Sequence, residues 1–388
     1  MIEILLITAA IGAAAFGAAW LLTSASISLA HSRKILADVN DRSSHVAPTP
    51  RLGGIGLTAG LFLGFAFCAF QILNASWLPN PVRLILIKHD GGEFYQPLTM
   101  TALGGFALAV GLAFLLGLWD DLANPPALLK LAGQVIIALS APLLGMRFEH
   151  YRLPGMVGYA PLALPIAVAL TTAWILLVMN AVNFMDGING LAGRFAQVTA
   201  VATFLACFNT VGWESMMPLT AALAGAATGF LPFNSPTAKA FLGDCGSQPL
   251  GVFVALIGVQ LTNLPTALAD GSLSPPPFIG FVIIISLFLF DVLFTIIKRL
   301  LEGKNILHAH REHLYQRYLI AVGGDHTRTL SFVDYTLWIT GILGFLLIRF
   351  CFSPASTFGK SILTGLAIGA LVKYYLDVKN LEGRSPTA

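Results

Sequence analysis

Charged residues are scarce in this chain, and that scarcity constrains its class most strongly. Only 11% of the 388 residues are Asp, Glu, Lys or Arg, whereas 56% are hydrophobic. A soluble domain would carry about a quarter of its residues as charges. Most of the chain is therefore predicted to be surrounded by lipid, as an all-α, polytopic integral membrane protein.

Other classes of protein are excluded by what is absent. The four cysteines lie far apart without metal-ligand spacing, so neither a zinc site nor a disulfide framework is expected. A net charge of +3 without a basic, aromatic-laced patch argues against nucleic acid as a partner. Because Glu3 is the only charge before Arg33, we expect a retained first span rather than a cleaved signal peptide. With no internal repeat, residues 1–388 are predicted to form one transmembrane domain.

Long apolar runs divide the chain into eleven predicted spans, because about 20 helical residues cross the hydrocarbon core. Ten spans are the alternative, since the sixth run is the weakest. The predicted spans are residues 2–24, 52–74, 99–118, 128–146, 161–179, 195–210, 216–233, 248–264, 277–298, 332–350 and 360–376.

The connections between these spans alternate between two sides of the membrane. One side receives residues 25–51, 119–127, 180–194, 234–247, 299–331 and the C-terminal tail. Most of the 22 lysine and arginine residues lie on that side, which the positive-inside rule makes cytoplasmic. The N-terminus is thus predicted outside and the C-terminus inside.

Every unusual polar motif falls on the predicted cytoplasmic side, and the most specific is NAVNFMDGINGLAG, residues 180–193. Asn180, Asn183 and Asp186 are spaced by three, which puts them on roughly one face if the helix continues to Asp186. The glycines that follow would let a large polar ligand approach the backbone. A helix end with a glycine stop is the structural alternative, but the full pattern favours a functional site.

Two further motifs carry carboxylates. Asp120 and Asp121 end a predicted helix, where the macrodipole disfavours negative charge, so a cation such as Mg²⁺ or Lys130 is expected nearby. GDCGS, residues 243–247, begins a span, where free N–H groups could hold phosphate. Asp244 would repel phosphate unless a metal bridged them, and hard oxygen ligands favour Mg²⁺ or Mn²⁺. The structural alternatives are that Asp121 caps the following helix and that GDCGS is a capped turn.

The remaining candidate residues lie in two cation-rich loops and, in one case, within a predicted span. The loops contribute Arg42, His45 and Arg51, and then His308, His310, Arg311 and His313. Histidines alternating with arginines suit a diphosphate ligand, with a solvated basic helix as the alternative. Asp291 lies within the ninth predicted span, where a carboxylate is costly and either marks a functional site or pairs with a polar neighbour.

Together these motifs resemble the polyprenyl-phosphate N-acetylhexosamine-1-phosphate transferases, the MraY and WecA superfamily of glycosyltransferase family 4. The matching stretches, in order, are RSSHVAPTPRLGG, GLWDDL, NAVNFMDGINGL, GFLPFN with FLGDCGSQPLG, and HREHLYQRYL. MraY carries consecutive histidines in the last motif, whereas this chain separates His308 from His310. That form is more like the WbpL-type members, which initiate O-antigen or similar glycans.

The resemblance implies a role for each candidate residue. Catalytic roles are implied for Asp120, Asp121, Asp186 and His313. Metal binding is implied for Asp244, Asn183 and Asp186. Substrate binding is implied for Arg42, His45, Lys130, Asn180, Gly243, Ser247, His308, His310 and Arg311.

The implied reaction moves a sugar 1-phosphate from UDP-N-acetylhexosamine, or a UDP-deoxy-amino sugar, to undecaprenyl phosphate and releases UMP. Mg²⁺ is the implied cofactor, with Mn²⁺ as the alternative. The implied location is the cytoplasmic face of the bacterial inner membrane lipid bilayer, with a homodimer as one candidate assembly. An MraY-like phospho-MurNAc-pentapeptide transferase is the alternative. A secondary transporter is more distant, because its polar sites would lie near the midplane.

Overall fold

A computed structural model describes residues 2–37, 48–73, 99–151, 160–208, 210, 213, 216–264, 277–305, 308, 310–351 and 357–383. These described residues form thirteen α-helices and two small antiparallel strand pairs. The helices are α1 (Ile2–Arg33), α2 (Gly54–Leu73), α3 (Met100–Ala123), α4 (Ala127–Leu143), α5 (Leu164–Met185), α6 (Leu191–Cys207), α7 (Met217–Asn234), α8 (Asp244–Asn263), α9 (Phe278–Ile284), α10 (Ser286–Leu301), α11 (Leu314–Ala321), α12 (His326–Cys351) and α13 (Thr357–Glu382). Strand β1 (Leu36–Ala37) pairs with β2 (Thr49–Pro50), and β3 (His150–Tyr151) pairs with β4 (Ala160–Pro161).

The all-α, polytopic fold agrees with the prediction. Each of the eleven predicted spans has a helical counterpart. Six described helices, α1, α3, α5, α8, α12 and α13, are long and apolar enough to cross a membrane, or seven if the bent pair α9 and α10 is one span. Helices α4 and α6, and the stretch Gly54–Phe70 of α2, are apolar but shorter. The count of eleven crossings stays a prediction.

The ninth predicted span, residues 277–298, is not one straight helix. Helices α9 and α10 meet at Ile285 with a bend of 76°. The Ser286 hydroxyl donates to the Ile283 carbonyl at 2.8 Å. A serine hydroxyl that bonds to a carbonyl three residues earlier competes with the regular backbone ladder and is often found where helices bend. The ninth predicted span is therefore helical but bent at this position.

Helix α8 forms the centre of the bundle. Every residue from Cys245 to Leu261 is buried, as expected for a mostly apolar helix at the centre of a bundle. The Phe253 ring lies 5.5 Å from that of Phe65 in α2 and 5.2 Å from that of Phe106 in α3. These contacts fix α2 and α3 against α8, so they also fix where the ends of α3 lie.

The polar motifs gather at one end of this bundle because neighbouring helices run in opposite directions. Helix α3 ends just after Asp121 and α5 ends just before Asp186, whereas α8 begins at Asp244. A cavity of about 400 Å³ lies at the opposite ends of these helices, with Thr99 and Gln260 in its lining.

Candidate active site

A cavity of about 750 Å³ opens at the end of the bundle where the polar motifs lie. Its lining contains four carboxylates and two guanidinium groups: Asp120, Asp121, Asp186, Asp244, Arg51 and Arg311. These side chains come from separate stretches of the chain, and each stretch carries one of the predicted motifs. The fold therefore brings together residues that the sequence separates by up to 260 positions, from Arg51 to Arg311.

The second aspartate of the adjacent pair caps α8. Asp121 Oδ1 accepts a hydrogen bond from the backbone N–H of Asp244 at 3.1 Å, and Oδ2 accepts one from Cys245 at 2.9 Å. Gly243, with a φ of 69°, makes the left-handed turn that begins this helix. The structural alternative of a cap thus holds for Asp121, but the helix it caps is α8 and not α4. The first N–H groups of α8 bind this carboxylate, where the sequence pattern suggested phosphate.

Lys130 supplies the cation expected beside the paired aspartates. Its ammonium group donates to Asp120 Oδ2 at 3.2 Å and forms a shorter contact with Asp244 Oδ2. All three side chains are about one-fifth exposed, so solvent screens their ion pairs only in part. Lys130 therefore holds the carboxylates of α3 and α8 at the edge of the cavity.

Asn183 connects α5 to the first turn of α8. Its Nδ2 donates to Asp244 Oδ1 and to Ser247 Oγ, both at 2.9 Å. Gln248 Nε2 donates to Asp244 Oδ2 at 3.0 Å. Ser247 is fully buried, so its hydroxyl supports Asn183 and does not face the cavity. Asp244 is consequently held from three sides before any ligand enters.

Asp186 follows the last residue of α5. The helix ends at Met185, one residue before Asp186, so the condition for placing all three side chains on one helical face is not fully met. Burial, and then repulsion by Asp244 and Asp121, raises the pKa of Asp186 well above its ordinary range. Asn180 lies further back on α5, where its Nδ2 donates to the Leu176 carbonyl at 2.9 Å, and it does not line the cavity.

The oxygen atoms around the cavity fit a hard divalent cation. No described residue donates a hydrogen bond to the Asp186 carboxylate or to the side-chain carbonyl of Asn183. Within the described ranges, no three His, Cys, Asp or Glu side chains are close enough to share one ion. Mg²⁺ commonly takes one or two protein carboxylates and completes its shell with water and substrate phosphates. The arrangement therefore suits an ion that arrives with a diphosphate.

The histidines of the last motif do not line the cavity, whereas Arg311 does. His313 is buried, with Nδ1 3.0 Å from Asp291 Oδ1. His310 is half-buried, and burial followed by the nearby His313 and Arg299 lowers its pKa. His308 is exposed to solvent. For these histidines to contact the substrate, the substrate would have to extend beyond the residues that line the cavity.

Two predicted substrate-binding residues, Arg42 and His45, lie outside the described residues. Two lining residues, Asn234 and Gln316, were missed. Asn234 accepts from the Gly190 N–H and donates to the Ala240 carbonyl, both at 2.9 Å, so it joins two turns of the site. An asparagine at the end of the apolar stretch GFLPFN was the available signal.

The bundle and its acidic cavity define a polytopic membrane protein with a polar site at one end. The family model for glycosyl transferase family 4 matches residues 103–262, which extend from α3 to α8 and include the four cavity carboxylates.

Named relatives share this similarity over most of the chain. The chain is 29% identical over 359 residues to a decaprenyl-phosphate N-acetylglucosaminephosphotransferase of Mycobacterium leprae, covering 87% of this chain and 84% of the relative. It is 31% identical over 320 residues to the protein of the same name in Mycolicibacterium smegmatis, covering 79% and 72%. It is 31% identical over 268 residues to a phospho-N-acetylmuramoyl-pentapeptide-transferase of Mycolicibacterium paratuberculosis, covering 58% and 67%. The chain therefore belongs to glycosyl transferase family 4, within the MraY and WecA superfamily, as predicted.

Proposed function

We propose that this protein transfers a sugar 1-phosphate from a UDP-sugar to a polyprenyl phosphate and releases UMP. The observation that carries the proposal is the convergence of Asp120, Asp186, Asp244 and Arg311 around one cavity at the end of a membrane-helix bundle. Phosphoryl transfer depends mainly on positioning and charge stabilisation, which such a cavity can supply. The names of the relatives support a lipid phosphate as the acceptor.

The reaction exchanges one phosphorus–oxygen bond for another. An oxygen of the lipid phosphate attacks the β-phosphorus of the UDP-sugar, and the bond from that phosphorus to the bridging oxygen breaks. UMP leaves with the electron pair, and the lipid carries a diphosphate-linked sugar. Because a phosphate monoester has its second pKa near about 6, the nucleophile is already largely ionised at neutral pH. Asp120 and Asp186 therefore orient the reacting groups, and no strong base is needed.

Further charged side chains have roles in the proposed reaction. Arg311 and Arg51 line the cavity and can pair with phosphate oxygens through planar, charge-assisted hydrogen bonds. Lys130 keeps Asp120 and Asp244 together. Mg²⁺, with Mn²⁺ as the alternative, would be held by Asp244, Asn183 and Asp186 and would neutralise the diphosphate. The side-chain oxygens of Asn183 and Asp186 that accept no hydrogen bond from described residues support this assignment.

The proposal also includes the number of membrane spans and the side of the membrane that the cavity faces. Eleven spans would put the N-terminus outside and the C-terminus in the cytoplasm, with the cavity facing the cytoplasm at the bacterial inner membrane. The motif-bearing helix ends lie at one end of the bundle, and the excess of Lys and Arg in the loops predicted on that side supports a cytoplasmic orientation. A homodimer is the proposed candidate assembly.

The proposed donor is a UDP-N-acetylhexosamine or a UDP-deoxy-amino sugar, and the proposed acceptor is undecaprenyl phosphate. The product would begin a cell-surface glycan such as O-antigen, as in WbpL-type members. Relatives named for N-acetylglucosamine align with 79% to 87% of the chain, against 58% for the pentapeptide-transferase above, which supports a donor without a peptide.

A reconstituted assay tests the proposal. Purified protein receives undecaprenyl phosphate, Mg²⁺ and one donor at a time: UDP-GlcNAc, UDP-GalNAc, UDP-FucNAc, UDP-QuiNAc or UDP-MurNAc-pentapeptide. We expect stoichiometric UMP and a lipid product whose mass identifies the sugar, with neither formed by Asp244→Ala. UMP from the peptide donor alone would favour the MraY-like alternative. Solute uptake by vesicles with no UMP from any donor would contradict the proposal in favour of transport.

A further inference from the structure

Asp291 is a fully buried carboxylate that does not line the cavity. Its Oδ1 accepts the backbone N–H of Leu314 at 2.9 Å and lies 3.0 Å from His313 Nδ1. Its Oδ2 accepts the backbone N–H of Tyr315 at 3.1 Å and the hydroxyl of Tyr374 at 3.1 Å. A buried carboxylate is costly unless such donors surround it. Here they come from the start of α11 and from α13, so Asp291 fixes α11 against α10.

Tyr315 extends this network to the site. Its ring is fully buried, and its hydroxyl donates to the Phe184 carbonyl at 3.0 Å. That carbonyl belongs to the last turn of α5, where backbone acceptors have no partner within the helix. A methyl group at Gly187 would overlap the Tyr315 hydroxyl, so the turn sits directly on this side chain. Asp186 lies within that turn, between Phe184 and Gly187.

We infer that Asp291 is a positioning residue, which holds the turn carrying Asp186 through Tyr315. The path runs from Asp291 in α10 to the backbone of Tyr315 in α11, and from the Tyr315 hydroxyl to the end of α5. The same anchor orients α11, whose Gln316 and Leu319 form one wall of the cavity. A carboxylate outside the cavity thereby sets the geometry of one inside it.

Three substitutions distinguish the effect of this hydrogen-bonded path from a general loss of packing. Asp291→Asn keeps the size but retains only one acceptor oxygen, so the N–H groups of Leu314 and Tyr315 can no longer both be accepted as they are by the carboxylate. Tyr315→Phe keeps the ring and the backbone bond but removes the contact with Phe184. Tyr374→Phe is the matched control, because it removes an equivalent buried hydroxyl bonded to Asp291 from α13, off the path to α5.

Hydrogen–deuterium exchange of the full-length chain in detergent measures how well the backbone segments on this path are protected, and it needs no substrate. We expect exchange in residues 183–190 to rise about tenfold in Asp291→Asn and in Tyr315→Phe, as expected for one lost hydrogen bond. Exchange in residues 314–321 should rise in Asp291→Asn only, and Tyr374→Phe should leave 183–190 within about twofold of wild type. Unchanged exchange of 183–190 in Tyr315→Phe would overturn the inference, even if Asp291→Asn failed to fold.

Kinetics provide a second readout, which rests on the proposed transferase function. Each of the two variants on the path should lower kcat by about tenfold or more with little change in KM, because displacing a catalytic group by about 1 Å can cost about a hundredfold. The double variant should be no slower than Asp291→Asn, because both act through one path. Effects that multiply would overturn the inference. If wild-type protein transferred no sugar phosphate, the proposed function would fail while the exchange result still decided this inference.

Discussion

Asp121 and Asp120 are adjacent carboxylates with different structural roles. Alanine substitutions at the two positions should therefore lower the stability of the protein by different amounts. Asp121 accepts two backbone N–H bonds from α8, whereas the Asp120 carboxylate is held by Lys130 at 3.2 Å and, among the described residues, accepts no backbone N–H. Replacing Asp121 by alanine leaves the Asp244 and Cys245 N–H groups without their acceptor. Hydrogen bonds to a charged acceptor contribute about 1.5 to 3 kcal/mol each. The lower figure suits this half-buried pair, so Asp121→Ala should cost about 3 kcal/mol.

The cost converts to a measurable shift in melting temperature. At about 2.1 cal/mol/K of unfolding entropy per residue, about 3 kcal/mol corresponds to about 4 °C for a chain of 388 residues. Asp120→Ala, the matched control on the same turn, loses only a partly exposed ion pair and should shift the apparent melting temperature by about 1 °C or less. Thermal unfolding of both variants in one detergent makes the comparison. Equal shifts, or a larger one for Asp120→Ala, would refute the assignment of Asp121 as the cap of α8.

Three further outcomes are expected of the cavity. Asp244→Ala should lower UMP release by at least about a hundredfold while the protein still inserts in membranes, and near-normal release would remove Asp244 from the reaction. Lys130→Gln should lower kcat by about tenfold to a hundredfold, because Asp120 and Asp244 lose their shared cation, and a rate within about twofold of wild type would contradict that role. EDTA should stop transfer and added Mg²⁺ or Mn²⁺ should restore it, with about tenfold more Mg²⁺ needed by Asp186→Asn; transfer that persists in EDTA would contradict the metal assignment.

The location of the site could be predicted because it depends on sidedness. Helices that alternate in direction return every second connection to the same end, so motifs on one predicted side were expected at one end of the bundle. Asp120, Asn183, Asp186 and Asp244 accordingly share one cavity. The family resemblance rests on the same stretches, and the comparisons confirm it.

The contacts of individual residues could not be predicted, because they depend on which helices become neighbours. Asp121 caps a helix that begins more than a hundred residues later in the chain. From the sequence, Asp291 can be recognised only as an acid within an apolar run, whereas its hydrogen-bond donors come from α11 and α13. The 76° bend between α9 and α10 lies beside Ser286, whose hydroxyl bonds to the Ile283 carbonyl, and hydropathy does not register such a bend.

Accessibility labelling tests most directly the claim that one cytoplasmic cavity unites the motifs. On a background free of the four native cysteines, single cysteines replace Asp120 and Asn189, which line the cavity, and Thr99, which lies at the opposite end of the bundle. An impermeant maleimide is applied to inside-out and right-side-out vesicles. We predict that positions 120 and 189 react only when the cytoplasmic face is outward and position 99 only when it is inward. Reaction of positions 120 and 189 from opposite faces would contradict the shared cavity, and with it the proposed enzyme.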